Sequence, residues 1–223
     1  MAALEWDATG ERWYELGVDH VTLYKQTSSG AYGDGVAWNG VTGITESPDG
    51  AEPTDLWADN LKYATLRSTE TFGFTITAYQ SPIEFEACDG SIEIAKGVYA
   101  GQQSRTGFGL AYRTKIGNDT QTEADDGYKL HLVYGATASP SERSRETIND
   151  SPDAAELSWE CTTTPVTVSG YKPTSHLVID SRYADASKLA ALEKTLFGDE
   201  VGKPSLPLPS AVITAMGAAE ATA

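Results

Sequence analysis

Residues 108–135, FGLAYRTKIGNDTQTEADDGYKLHLVYG, constrain the fold more than any other stretch. Phe108, Leu110, Tyr112 and Ile116 share one parity, and Tyr128, Leu130, Leu132 and Tyr134 share one on the return. The opposite parity carries Arg113, Lys115, Lys129 and His131. Alternation with a period of two predicts paired strands with one buried face and one polar face. Residues 117–127 between them are too long for a tight turn and hold no apolar residue able to anchor a core. A polar loop carried on so well specified a hairpin is expected to touch something outside its own domain.

A chain of 223 residues can bury one sizeable core but not several. It holds 32 acidic against 16 basic residues, a net charge of −16. That balance argues against free nucleic-acid binding, which needs cations to neutralise phosphates, and against an anionic membrane surface. A halophilic origin would give the same acidity. The opening MAALEWDATGERWYELG has neither the basic nor the apolar region of a signal peptide, and nothing approaches a run of about 18 apolar residues. Synthesis in a cytoplasm is expected, and with it two buried free thiols at Cys88 and Cys161, which belong to no CxxC pair.

Along the chain, residues 1–20 read as a polar, acidic arm with Trp6, Trp13, Tyr14 and Leu16 as docking points. Strands are expected at 21–25, 36–45, 61–67, 72–79 and 177–180, the third and fourth paired, with weaker signals at 92–95 and 98–102. Residues 157–163 alternate Leu157, Trp159 and Cys161 inward, and Pro165 breaks that strand before 166–168. Ser81-Pro82 opens a short helix over 82–89. Asp185 as N-cap, a Leu189, Leu192, Leu196 stripe and Gly198 at the C-terminus predict a helix over 185–197. Residues 199–223 are Pro- then Ala-rich and read as an extended arm or disordered tail. The sum is a mainly β chain: an antiparallel two-layer β-sandwich with one flanking α-helix, occupying residues 1–198.

Chemical motifs are sparse. His20, His131 and His176 stand isolated in sequence, with no second ligand at zinc spacing, and no GxSxG, HExxH or phosphate-loop ending is present. Asn118, Asp119, Glu123, Asp125 and Asp126 crowd one loop without the ligand spacing of a calcium hand. No catalytic residue, cofactor or metal is expected. Charge asymmetry says more: residues 1–61 hold eleven acids against Arg12 and Lys25, whereas the hairpin is basic on its polar face. Such surfaces can meet head to tail on neighbouring copies, although a solvated acidic face reads equally well.

Several segments in order resemble the major tail protein, or tail tube protein, of long-tailed bacteriophages with non-contractile tails. They are residues 10–24 (GERWYELGVDHVTLY), 35–66 (GVAWNGVTGITESPDGAEPTDLWADNLKYATL), 85–95 (FEACDGSIEIA) and, most specific, 108–140 (FGLAYRTKIGNDTQTEADDGYKLHLVYGATASP), then NDSP at 149–152 and WECTTTP at 159–165. The resemblance implies a β-sandwich whose strands join those of neighbours into a ring-shaped barrel of six copies. Rings stack into a tube around the tape measure protein, with tail terminator and distal tail proteins at its ends, and double-stranded DNA later passes through without specific binding. Location in the virion tail, after assembly in the bacterial host cytoplasm, is implied with it. A long loop reaching a neighbouring copy is also implied, and residues 117–127 are the candidate. The expected interface residues are Arg113, Lys115, Asn118, Asp119, Thr120, Glu123, Asp125, Asp126 and Lys129. The basic members are expected either to be paired with carboxylates, within or across subunits, or to be turned away from the lumen, since unpaired cations lining it would grip DNA. The alternative from the residues alone is a carbohydrate-binding β-sandwich that stacks sugars on Trp6, Trp13, Trp38, Trp57 or Trp159.

Overall fold

The computed structural model describes residues 4–50, 52–120, 126–145, 147, 154–168 and 170–217. Its strands in chain order are β1 (Trp13–Gln26), β2 (Tyr32–Ala37), β3 (Val41–Glu46), β4 (Pro53–Ala58), β5 (Leu61–Arg67), β6 (Gly73–Ala78), β7 (Ile92–Ala95), β8 (Val98–Ala100), β9 (Phe108–Asn118), β10 (Gly127–Ala138), β11 (Leu157–Thr163), β12 (Val166–Val168), β13 (Tyr171–Thr174) and β14 (His176–Asp180). A 3-10 turn spans Ile83–Ala87, and two helices follow the strands among the described residues, α1 (Ala186–Phe197) and α2 (Pro209–Ala215). The main sheet is antiparallel in the order β2-β1-β9-β10-β11-β6-β3, with β14 also paired to β10. Its end strands β2 and β3 are not bonded to each other, so the sheet is not closed into a barrel. Among the described residues, three two-stranded ribbons, β4–β5, β7–β8 and β12–β13, are not hydrogen-bonded into it.

The opening hairpin forms, but it is buried on both faces rather than one. Tyr112 lies opposite His131 and Ala111 opposite Leu132, so the even positions of β9 share a face with the odd positions of β10. Phe108, Leu110 and Tyr112 enter one core with Val133, Leu23, Trp38, Phe74, Ile76, Phe85 and Trp159. Leu130, Leu132 and Tyr134 enter a second core on the other face, with Tyr24, Ala111 and the α1 stripe Leu189, Leu192 and Leu196. A slip of one residue exchanges the faces of a strand, and a long loop leaves that slip unspecified. Aromatic rings hold the first core: Trp38 lies 4.5 Å from Phe85 and 5.5 Å from Trp159, centroid to centroid.

Glycine 135 marks where β10 changes partners. Residues 129–133 pair with β14, whereas 136–138 pair with β11. Gly135 has φ +61°, and a Cβ there would sit 2.3 Å from the Thr164 carbonyl oxygen. Only glycine takes this kink without strain.

Other expectations change with the structure. The arm over 1–20 gives way to β1 from Trp13 onward, which pairs Trp13 with Asn118 and runs along β9. The strand expected over 36–45 is two strands, turned at Gly40 (φ +83°). The strand over 61–67 pairs with β4, not with 73–78, which lies between β11 and β3. In place of one flanking helix there are two among the described residues, and part of the C-terminal region is packed: Leu206 and Val212 are buried in the second core. The isolated apolar residues of a Pro-rich segment give no periodic signal, but Leu206 fills the space left by the missing side chain of Gly109. α1 begins as expected, with the Asp185 carboxylate accepting from the Ser187 and Lys188 amides at 2.9 and 3.0 Å.

Candidate functional site

At the hairpin tip, Asn118 and Asp119 make their contacts within the chain. Asn118 is buried; its Nδ2 donates to the Gly10 carbonyl (2.8 Å) and its Oδ1 accepts from the Thr120 amide and hydroxyl. Asp119 Oδ1 accepts from the Gly10 amide (2.9 Å), and its other oxygen lies 3.5 Å from Arg12. Asp126 donates its amide to the Ile116 carbonyl. Glu123 and Asp125 lie outside the described residues.

The basic residues do not share a face. Arg113 points to the helix side, its guanidinium 4.7 Å from the centre of the Tyr128 ring, 3.2 Å from Asp19 and 3.4 Å from Glu193. Asp19 is partly buried, which alone would raise its pKa; hydrogen bonds from His20 and Arg113 outweigh that and hold it below the usual carboxylate value. Lys115 is exposed beside Arg113, and both line an open cleft with Asp19, His20 and Tyr128. Lys129 points to the opposite side and meets Glu15 at 2.5 Å. The Glu15 carboxyl is likewise held low: burial raises it, but the bonds from Lys129 and Thr114 prevail.

On that same side lies a polar cluster that sequence spacing did not reveal. His131 Nδ1 is 3.2 Å from His176 Nε2 and 3.4 Å from Glu46 Oε1, and His176 Nε2 is 4.0 Å from Glu46 Oε1. The Tyr112 hydroxyl donates to Glu46 Oε1 at 2.7 Å. Tyr112 stacks on His131 and Phe72 on His176, with centroids 4.6 and 4.4 Å apart. Burial pushes the His176 pKa down to about 4, against the opposing pull of Glu46, so the imidazole is neutral at pH 7. His131 is lowered for the same reason, against Glu46 and Glu15. His131 and His176, far apart in sequence, are thus neighbours in space. Antiparallel pairing of β10 with β14 sets Val133 opposite His176, and His131 shares Val133's face two residues away. The parity of His131 was readable, but its neighbours needed the register.

Large apolar side chains lie exposed on two of the ribbons. In β4–β5, the opposed pairs Thr54–Leu66, Leu56–Ala64 and Ala58–Leu61 alternate with Asp55–Thr65 and Trp57–Lys62. One face is therefore apolar, and the other carries the Lys62–Asp55 ion pair at 2.7 Å. Leu56, Leu61 and Leu66 are 41%, 70% and 55% exposed, and Tyr63 beside them is 78% exposed. Ile92, Ile94 and Val98 are exposed on β7–β8. Of the tryptophans weighed for sugar stacking, Trp38 and Trp159 are buried in the first core, leaving Trp6, Trp13 and Trp57 at the surface.

No family model matches the chain, and no curated protein does. No helix among the described residues is long and apolar enough to cross a membrane.

Proposed function

We propose that this chain is the structural subunit of a phage tail tube, six copies closing into a ring and rings stacking into the conduit through which DNA leaves the virion. In this reading the sheet and the elements packed on it form a two-layer β-sandwich, and its open edges join those of neighbours into the ring-shaped barrel. The observation that carries the proposal is the β4–β5 ribbon, amphipathic yet with its apolar face turned to water. A lone two-stranded ribbon is at best marginally stable in water, and a contiguous exposed apolar face marks a contact surface. A second copy of the chain supplies both the open strand edges and the apolar patches such a ribbon needs. The resemblance in the sequence names the assembly, and the acidity suits its use, since a wall of net negative charge repels passing phosphates. Tape measure, terminator and distal tail proteins are the further partners that this reading carries.

The test is the size of the purified protein as a function of concentration, by scattering and negative-stain microscopy. Rings or tubes with six-fold end views are expected. A strict monomer at every concentration, or a monomer that binds polysaccharide, would refute the assignment.

A further inference from the structure

We propose that Glu46, His131 and His176 form a binding site for one divalent transition-metal ion of the zinc class. The three side chains come from β3, β10 and β14, which are far apart in sequence, and their ligand atoms all lie within 4.8 Å of one another. A tetrahedral zinc with bonds of about 2.0–2.1 Å holds its ligand atoms about 3.3 Å apart. The separations of 3.2 and 3.4 Å from His131 Nδ1 to its two neighbours match that edge, and rotation of the Glu46 carboxylate shortens the 4.0 Å third. Two imidazoles and a carboxylate are the ligand set such ions prefer over magnesium or calcium.

The surroundings orient the ligands. Thr114 donates its hydroxyl to Glu15 Oε1 at 2.5 Å, so its oxygen is left to accept from His131 Nε2, 3.1 Å away. Glu15 Oε1 itself lies 3.7 Å from that nitrogen. This pairing sets the proton on Nε2 and leaves the Nδ1 lone pair facing His176 and Glu46. Second partners that fix the tautomer in this way accompany most metal-bound histidines. The Tyr112 and Phe72 rings, stacked on the two imidazoles, restrict their rotation. The cluster is acidic as a whole, and Glu46 is its most exposed member, the side from which an ion would enter. An ion there would tie the edge strand β3 to β10 and β14, whether or not the chain assembles with copies of itself.

Tag-free protein stripped with chelator would be titrated with Zn²⁺ in a large excess of Mg²⁺, which occupies weak sites on so acidic a surface. Saturable uptake of one Zn²⁺ per chain is expected. Co²⁺ should give the intense visible bands of a tetrahedral nitrogen–oxygen site, a readout that needs no variant. Thr114→Val should weaken binding about 10- to 100-fold, and Glu46→Gln and His176→Gln by more than that. No uptake, uptake abolished by Mg²⁺, a weak octahedral Co²⁺ spectrum, or equal affinity in folded Glu46→Gln and His176→Gln would each overturn the site.

Discussion

Replacing Leu61 and Tyr63 together by threonine should abolish assembly while leaving the fold intact. Threonine keeps the strand preference, so the ribbon itself is spared. The exposed fractions of Leu56, Leu61, Tyr63 and Leu66 together amount to roughly two and a half whole side chains. Burying that much against a neighbour is worth roughly 4–7 kcal/mol before costs. Association costs at least about 4 kcal/mol in lost freedom, so one ribbon gives only a weak contact and closure of a ring must supply the rest. Leu61 and Tyr63 account for about 3–4 kcal/mol of the gross term, which raises the assembly threshold roughly 100- to 1000-fold. Neither residue belongs to either hydrophobic core, so the thermal midpoint should stay within about 2 °C of the parent. Sedimentation across a concentration series reads the threshold, and calorimetry reads the midpoint. Assembly at the parental concentration would refute the role given to the ribbon, and a midpoint lowered by more than about 5 °C would show that it packs on its own chain.

Leu206→Ala should cost about 2–4 kcal/mol in chemical unfolding, because the side chain is buried against Gly109 in the second core; a loss under about 0.5 kcal/mol would place the C-terminal segment outside the cooperative unit. Asp19 has a lowered folded pKa, so its contribution to stability is present above the ordinary value of 3.8 and is lost as the pH falls through the lower folded value. Asp19→Asn should therefore flatten the acid limb of the stability profile below pH 3.8 relative to the parent, and an unchanged limb would show that His20 and Arg113 do not hold this carboxylate low. Burial raises Cys88 and Cys161 to about 12 each, so neither should react with a thiol reagent at pH 8 until the chain is unfolded, when two equivalents appear.

What could be read in the sequence was local. Asp185 and the Leu189, Leu192, Leu196 stripe specify α1 because capping and helical periodicity act within a few residues. The alternation in 108–135 specifies the two strands for the same reason. Which face each strand turns to which core depends on pairing, and pairing depends on a loop with no fixed turn type. The β4 strand went unseen because Pro53 and the surrounding Asp and Glu read as a loop, although proline is tolerated at the first position of an edge strand. The cluster at Glu46, His131 and His176 lies furthest from the sequence, since it needs the partners of three strands at once.

Register also decides what kind of force can hold copies together. The charge asymmetry of the acidic N-terminal segment and the basic hairpin suits either a contact between copies or a solvated acidic face, but the two segments meet within one chain. β1 sets Glu15 opposite Ile116, toward Lys129, and Asp19 opposite Arg113 on the other face. Arg113 and Lys129 are thereby neutralised at home, and each copy still carries a net charge of −16. Copies must repel one another at long range, so attraction falls to apolar contacts such as the β4–β5 ribbon. Salt should then favour assembly. Screening shortens the reach of repulsion to about 10 Å at 0.1 M and about 3 Å at 1 M, whereas apolar burial is not weakened by it. The threshold concentration should fall as sodium chloride rises across that range. A threshold that rises instead would mean that ion pairs between copies are the adhesive, and that the pairings of Arg113 and Lys129 within the chain are exchanged on assembly.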